Sequence, residues 1–281
     1  LGLQLVQGVH DPLDIAGALS RTAEAGLQVA HRAACADFAQ KHGLIHDSEL
    51  VVLGLGRLGG GALTHASDLD IIYLFTGASG AESDGERPLG GTHYYNRLSQ
   101  RVSAALSVPT AHGALYEIDT RLRPQGAQGP LAVTLEAFAK YQREAAWTWE
   151  HMALTRARAL VGSESARAQL DTIIADVLTQ TRDPATLCEA VLEMRSEMAQ
   201  HKPAKGPLDV KLMRGGLVDL EFAVHFLQLR DGLALQPDLG KAIDELVAAG
   251  HLPGETRAAH DLMTRALVAG RLLAPDLSEE P

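Results

Sequence analysis

Aromatic side chains are scarce in this chain of 281 residues: Phe, Tyr and Trp together make up 4%. A surface that stacks the bases of single-stranded nucleic acid has little to be built from. Cysteine is scarcer still. Cys35 and Cys188 lie far apart and no C-x-x-C pair occurs, which excludes a disulfide framework and a cysteine-built zinc site and fits a reducing cytoplasm. Positive charge is in deficit, with 25 Lys and Arg against 35 Asp and Glu and a formal net charge of −10. That balance argues against a nucleic-acid or anionic-membrane partner; a small phosphate ligand needs only a local site and a metal. No apolar run approaches the ~18–20 residues of a membrane span. No basic-then-apolar leader opens the chain, and internal repeats and low-complexity tracts are absent. The first residue is Leu1 and not Met, so the chain reads as a piece of something longer. What is present, 46% hydrophobic and 21% charged residues, describes a globular protein with room for one large domain or two modest ones.

Periodicity divides the chain. Ile15, Leu19, Ala23, Ala30, Ala34 and Phe38 recur at spacings of four and seven and predict a helix from Asp11 to His42, with Asp11 as cap, Pro12 in the first turn and Gly43 as stop. Val51–Gly54 and Asp70–Phe75 read as buried strands, 76–92 as a surface loop, and His93–Leu106 as a helix. Ala114–Leu122 is expected to be a third strand and Leu131–Thr134 a fourth, before one helix from Glu136 to Val161. Everything later reads as helix, split at Asp183-Pro184, Lys202-Pro203, Gly215-Gly216, Pro237 and Pro253-Gly254. The expected division is therefore an α/β domain over 1–162 and an all-α domain over 163–281.

Gly54-Leu-Gly56-Arg-Leu-Gly59 follows a strand and satisfies the G-x-G-x-x-G dinucleotide pattern. The distance from Gly61 to Ser67 is too short for the helix of a βαβ unit, and Asp68 and Asp70 arrive too early to hold a ribose. Asp68-Leu-Asp70 makes better sense as a cation site. Residues two apart on a strand share a face, about 7 Å apart along the chain. Two carboxylates at ~4 Å and an effective dielectric of ~20 repel by roughly 4 kcal/mol. A hard divalent cation removes that cost, and Mg²⁺ takes one or two carboxylates plus substrate phosphates. Gly59-Gly60 would let backbone N–H groups approach a polyphosphate. Alternation along Glu117, Asp119, Arg121 and Arg123 offers a third acid for metal and guanidinium for phosphate. The plainer alternative has Asp68 capping a strand and Asp119 paired with Arg121 or Arg123 on the surface.

Four blocks carry a more specific signal. They are Val51-Val-Leu-Gly-Leu-Gly-Arg-Leu-Gly-Gly-Gly-Ala-Leu-Thr-His-Ala-Ser-Asp-Leu-Asp-Ile-Ile-Tyr-Leu-Phe75, Leu115-Tyr-Glu-Ile-Asp-Thr-Arg-Leu-Arg-Pro-Gln-Gly126, Ala146-Trp-Thr-Trp-Glu-His-Met-Ala-Leu-Thr-Arg-Ala-Arg158 and Asp209-Val-Lys-Leu-Met-Arg-Gly-Gly-Leu-Val-Asp-Leu-Glu-Phe222. In type and order they resemble the bifunctional glutamine synthetase adenylyltransferase/adenylyl-removing enzymes. Trp147-Thr-Trp-Glu-His151 and Gly216-Leu-Val-Asp-Leu-Glu-Phe222 are similar to the C-terminal, AMP-adding half of that family; Arg214 stands where the family has an acidic residue. The resemblance implies a polymerase-beta-like α/β nucleotidyltransferase domain with a mixed sheet, followed by an all-α helical bundle.

It also implies a reaction. ATP would lie with its triphosphate over Gly59, Gly60 and Ser67, while Asp68 and Asp70 hold Mg²⁺ (or Mn²⁺) and Asp119 joins them at a second metal. A tyrosine hydroxyl of glutamine synthetase would attack the α-phosphorus and displace pyrophosphate, with metal or Asp119 assisting loss of a phenolic proton whose pKa is near 10. Arg121 and Arg123 would neutralise phosphate charge, and glutamine and a PII signal protein would regulate the full-length enzyme. Two rival readings stand beside this one: the same site run backwards as a deadenylylating phosphorylase, and a silent module that only docks glutamine synthetase or a signal protein. Asp219 and Glu221, in an otherwise apolar helix, are expected to pair with Lys211 or Arg214.

Overall fold

The computed structural model describes residues 2–206 and 208–273. A short helix α1 (Gly2–Val6) precedes the long α2 (Pro12–His42). α2 follows the predicted rule. The Asp11 carboxylate accepts from the Leu13 N–H at 2.9 Å, Pro12 takes the first position, and Gly43 at φ +70° ends the helix. Ile15, Ala23 and Phe38 of the apolar stripe are buried, joined by Leu27.

The central hairpin is β1 (Leu50–Gly54) and β2 (Leu69–Phe75), antiparallel with Leu50 opposite Phe75 and Gly54 opposite Ile71. Between them lies a single helical turn, α3 (Gly56–Gly59). After α4 (Gly91–Ser107), two short strands pair in parallel with the same edge of β2. These are β3 (Ile118–Asp119) at its start and β4 (Ala132–Thr134) at its end. Helices α5 (Leu135–Glu144) and α6 (Thr148–Leu154) follow, and β5 (Arg158–Val161) closes the other edge by pairing antiparallel with β1. The result is a five-stranded mixed sheet ordered β3-β2-β1-β5, with β4 beside β3 on β2.

Both faces of the sheet are covered, which is why β1 reads as an unbroken apolar run. Val52, Ile71 and Tyr73 pack with Leu27 and Phe38 of α2 and Leu98 and Val102 of α4. Val51, Leu53, Ile72 and Leu74 face the opposite way. There they meet Phe138 of α5, Met152 of α6 and the helices α7 (Glu164–Leu178), α8 (Pro184–His201) and α9 (Leu217–Asp231). One apolar cluster thus runs across residue 162. α10 (Leu239–Ala248) and α11 (Thr256–Leu273) complete the described chain, and α11 returns to α2 through Val268 against Ile15 and an Arg265–Asp11 ion pair. Among the described residues all elements after β5 are helices, as predicted. Positions 274–281 of the expected helical domain lie outside the described residues. Among those residues no helix is long and apolar enough to cross a membrane.

Two expectations are corrected. The strand over Ala114–Leu122 shrinks to Ile118–Asp119, because the Leu115 and Tyr116 N–H groups both turn to Leu106 O and the chain bends again after Asp119. The helix over Glu136–Val161 is two helices and a strand. Glu150 accepts from the Trp147 N–H at 2.9 Å and starts α6 anew, and Arg158-Ala-Leu-Val161, composed largely of helix formers, is drawn into the free edge of β1. Tertiary pairing overrides propensity there.

Candidate active site

The glycine-rich turn ends where the acids begin. Leu55 leaves β1, donates its N–H to Asp70 O at 2.9 Å, and passes into Gly56 at φ +53°. A Cβ on Gly56 would collide with Asp70 Oδ2; glycine is required here both for the left-handed backbone and for the space. Asp70 on β2 faces Asp119 on β3 in register, and Asp68 lies two residues upstream. Carboxylate oxygens of Asp68, Asp70 and Asp119 all lie within 4.8 Å of one another. The crowding has an electrostatic signature. Burial, then the charges of Asp68 and Asp119, push the Asp70 carboxyl up to about 6. Three oxygen donors that destabilise one another unless a cation intervenes are a donor set suited to Mg²⁺ or Mn²⁺.

Asp119 differs. The guanidinium and backbone N–H of Arg121 both donate to its carboxylate, the latter at 2.8 Å, and hold its pKa below the usual range. It is ionised and acceptor-rich, fit to ligate a cation and weak as a proton acceptor. The alternation that would put Arg121 and Arg123 on one strand face does not occur, since the chain leaves β3 at Asp119. Arg121 curls back on Asp119, and Arg123 donates to Thr120 O at 2.8 Å, bracing the loop. The pairing weighed as the plainer alternative for Asp119 and Arg121 is therefore present within the triad itself.

Ser67 lines the cavity beside the triad, and its hydroxyl accepts from the Thr64 N–H at 3.0 Å. The N–H groups of Gly59 and Gly60 are already engaged by Leu55 O and Gly56 O at 2.8 and 3.1 Å. The close approach these glycines permit is taken by Arg156. A Cβ on Gly59 would strike its carbonyl and one on Gly60 its guanidinium.

The cavity measures about 200 Å³. One wall is Asp68 and Asp70; the other is Arg57 of α3, Arg156, Lys211 and Arg271, with Glu221 of α9 among them. Glu221 Oε1 receives Arg156 Nη1 at 3.0 Å and lies 3.9 Å from Arg57 Nη2. Burial alone would raise its pKa, but Arg156 and Arg57 hold it below the usual range. The expected partners of the α9 acids are corrected accordingly: Glu221 pairs with the two arginines, and Asp219 with Arg195 of α8. Both tryptophans point away from the core, Trp147 at 69% exposure and Trp149 at 36%; Met152 and Leu154 carry the packing of α6.

The comparisons with known proteins fall on this same ground. Residues 1–173, which include the triad, match the family described as glutamate-ammonia ligase adenylyltransferase. The chain belongs to that family. Its relatives include the bifunctional glutamine synthetase adenylyltransferase/adenylyl-removing enzyme of Mesorhizobium japonicum, 46% identical over 79% of this chain. Those of Brucella suis and Agrobacterium fabrum are 46% and 44% identical over 82% of it. The chain spans 23% of the length of each of these relatives.

Reading this family member by spacing alone finds the acids and misses the cations. Arg57 lies inside the glycine motif and Lys211 inside the fourth sequence block, so both were in view. Nothing in their spacing says that two segments more than 150 residues apart in sequence face one cavity.

Proposed function

We propose that this chain is the AMP-adding nucleotidyltransferase of its family, polymerase-beta-like in its α/β part (1–162) and completed by a helical domain (163–281). The substrate pair is ATP and a tyrosine hydroxyl of glutamine synthetase, the setting is the cytoplasm, and glutamine and a PII signal protein regulate the whole enzyme. One observation carries the reading: three mutually repelling carboxylates, two of which line a cavity shared with Arg57, Arg156, Lys211 and Arg271, a charge pattern complementary to a metal-bound triphosphate.

The phenolic oxygen gives up its proton to solvent and forms a bond to the α-phosphorus as the bond from that phosphorus to the bridging oxygen breaks, and pyrophosphate leaves with the electron pair. Asp68, Asp70 and Asp119 would hold Mg²⁺ or Mn²⁺, which supplies charge neutralisation at the entering and leaving oxygens. Ser67, which lines the same cavity, would donate its hydroxyl to a phosphate oxygen. Gly59 and Gly60 serve the phosphates indirectly by seating Arg156. Arg121 would exchange Asp119 for phosphate, and Arg123 would keep the loop after β3 in shape.

The test is the intact mass of unmodified glutamine synthetase after incubation with this chain, ATP and Mg²⁺, beside an Asp68→Asn/Asp70→Asn double variant. A gain of one AMP per subunit, lost with the double variant, is the expected result. No gain would overturn it, and phosphate-dependent release of ADP from modified glutamine synthetase would assign the opposite direction.

A further inference from the structure

The cationic wall is assembled from four stretches that lie far apart in sequence, one of them α11 with Arg271. Arg57 comes from the turn after β1, Arg156 from the loop before β5, and Lys211 from the segment leading into α9. That last segment is built, not slack. The buried Asp209 carboxylate accepts from the Leu212 and Lys205 N–H groups at 3.1 and 3.2 Å, and Lys211 O accepts from the Val218 N–H at 3.0 Å. Arg195 donates to Leu212 O at 3.2 Å and pairs with Asp219.

Charge on this wall does not balance. Four cations, Arg57, Arg156, Lys211 and Arg271, line the cavity with three carboxylates, Asp68, Asp70 and Glu221, and both arginine contacts fall on the same Glu221 oxygen. Arg57 and Arg156 are only 15% and 8% exposed in their side chains. The Nε of Arg156 is fully buried with no hydrogen-bond partner among the described residues. A desolvated excess of positive charge is costly unless an anion answers it, and guanidinium groups beside an ammonium are the side chains that suit phosphate oxygens. Lys211 and Arg156 lie close enough to Asp70 to act on its charge, so an anion held by them would lie within reach of a cation on the triad.

We propose that Arg57, Arg156 and Lys211 form the pocket for the β- and γ-phosphates and the departing pyrophosphate, with Glu221 as the positioning residue that fixes both guanidinium groups. This deepens the function proposed above, since it gives the helical segment a direct part in substrate binding through Lys211, and it rests on that reading only for the identity of the nucleotide.

The test is calorimetric titration of the full chain with pyrophosphate and, separately, with AMP, both with Mg²⁺. Lys211→Met, which keeps the apolar stem and removes the charge, should weaken pyrophosphate at least tenfold and leave AMP within twofold. Lys211→Arg should bind pyrophosphate nearly as wild type. A variant-free arm keeps the question decidable if Lys211→Met does not fold: bound pyrophosphate should protect Lys211 of the wild-type chain from acetylation, read by peptide mass spectrometry. The proposal fails if wild type does not bind pyrophosphate, if Lys211→Met binds it unchanged or loses AMP equally, or if Lys211 acetylates at the same rate with and without it. Glutamine synthetase is absent from every arm. A failed AMP transfer with a positive result here would overturn the acceptor and leave the phosphate pocket standing.

Discussion

The two walls of the cavity solve opposite electrostatic problems. The acidic wall is left unbalanced: Asp68, Asp70 and Asp119 crowd together, and although Arg121 holds Asp119 and Lys211 and Arg156 draw on Asp70, burial and its acidic neighbours still push the Asp70 carboxyl up to about 6. The basic wall carries part of its own counter-charge, since Glu221 holds Arg57 and Arg156 in place before any ligand arrives, and the remaining excess is left for an anion. One wall is poised to gain a cation, and the other is pre-organised. Removing a carboxylate should therefore have opposite consequences for stability on the two sides.

The sharpest break of this contrast is Asp70→Asn. Loss of one of three cation ligands should lower AMP transfer by about a thousandfold, roughly 4 kcal/mol in barrier, while the metal-free protein at pH 7.5 becomes more stable in urea. Glu221→Ala should do the reverse to stability. It strands two largely buried arginines and should cost about 3 kcal/mol, read as a lower urea midpoint.

The pH dependence follows from Asp70. Its folded-state pKa of about 6 lies above its ordinary value of 3.8, so the folded protein binds the extra proton between those values. Its stabilising contribution is present below pH 4 and lost as pH rises through 6, by about 3 kcal/mol. Metal-free wild type should show that slope and Asp70→Asn should lack it. Gly56→Ala should cost about 2 kcal/mol through its positive φ and weaken Mg²⁺ binding, because the new methyl strikes the Asp70 carboxylate. At the small end, Trp147→Ser, far out in solvent, should move stability by less than about 0.5 kcal/mol.

The same contrast decides what could be read from the chain. The acidic wall was legible because its core is local: Asp68 and Asp70 sit two apart at the head of a strand, and Asp119 needs only one further pairing. The long helix α2 was legible for a similar reason, with cap, stripe and stop all within its own residues. The basic wall was not, since Arg57, Arg156, Lys211 and Glu221 converge only after β5 has joined β1 and α9 has packed on the sheet. β5 itself was missed because Arg-Ala-Leu-Val carries no period of its own, and the edge of β1 supplies what the sequence does not. The role of the glycine pair shifted too. Their missing side chains make room for an arginine that carries positive charge into the cavity, while their own N–H groups stay within the turn.

β3 is two residues long, and the third carboxylate of the triad hangs on it. β1 and β2 share five register pairs, whereas Asp119 depends on the pairs Leu69–Ile118 and Asp70–Asp119. Segments secured so lightly open at a small fraction of the global unfolding free energy. Loss of competence and loss of fold should therefore be separable events in this molecule: mild warming should free the β3 amides to exchange while those of the central hairpin stay protected, and cooling should restore them.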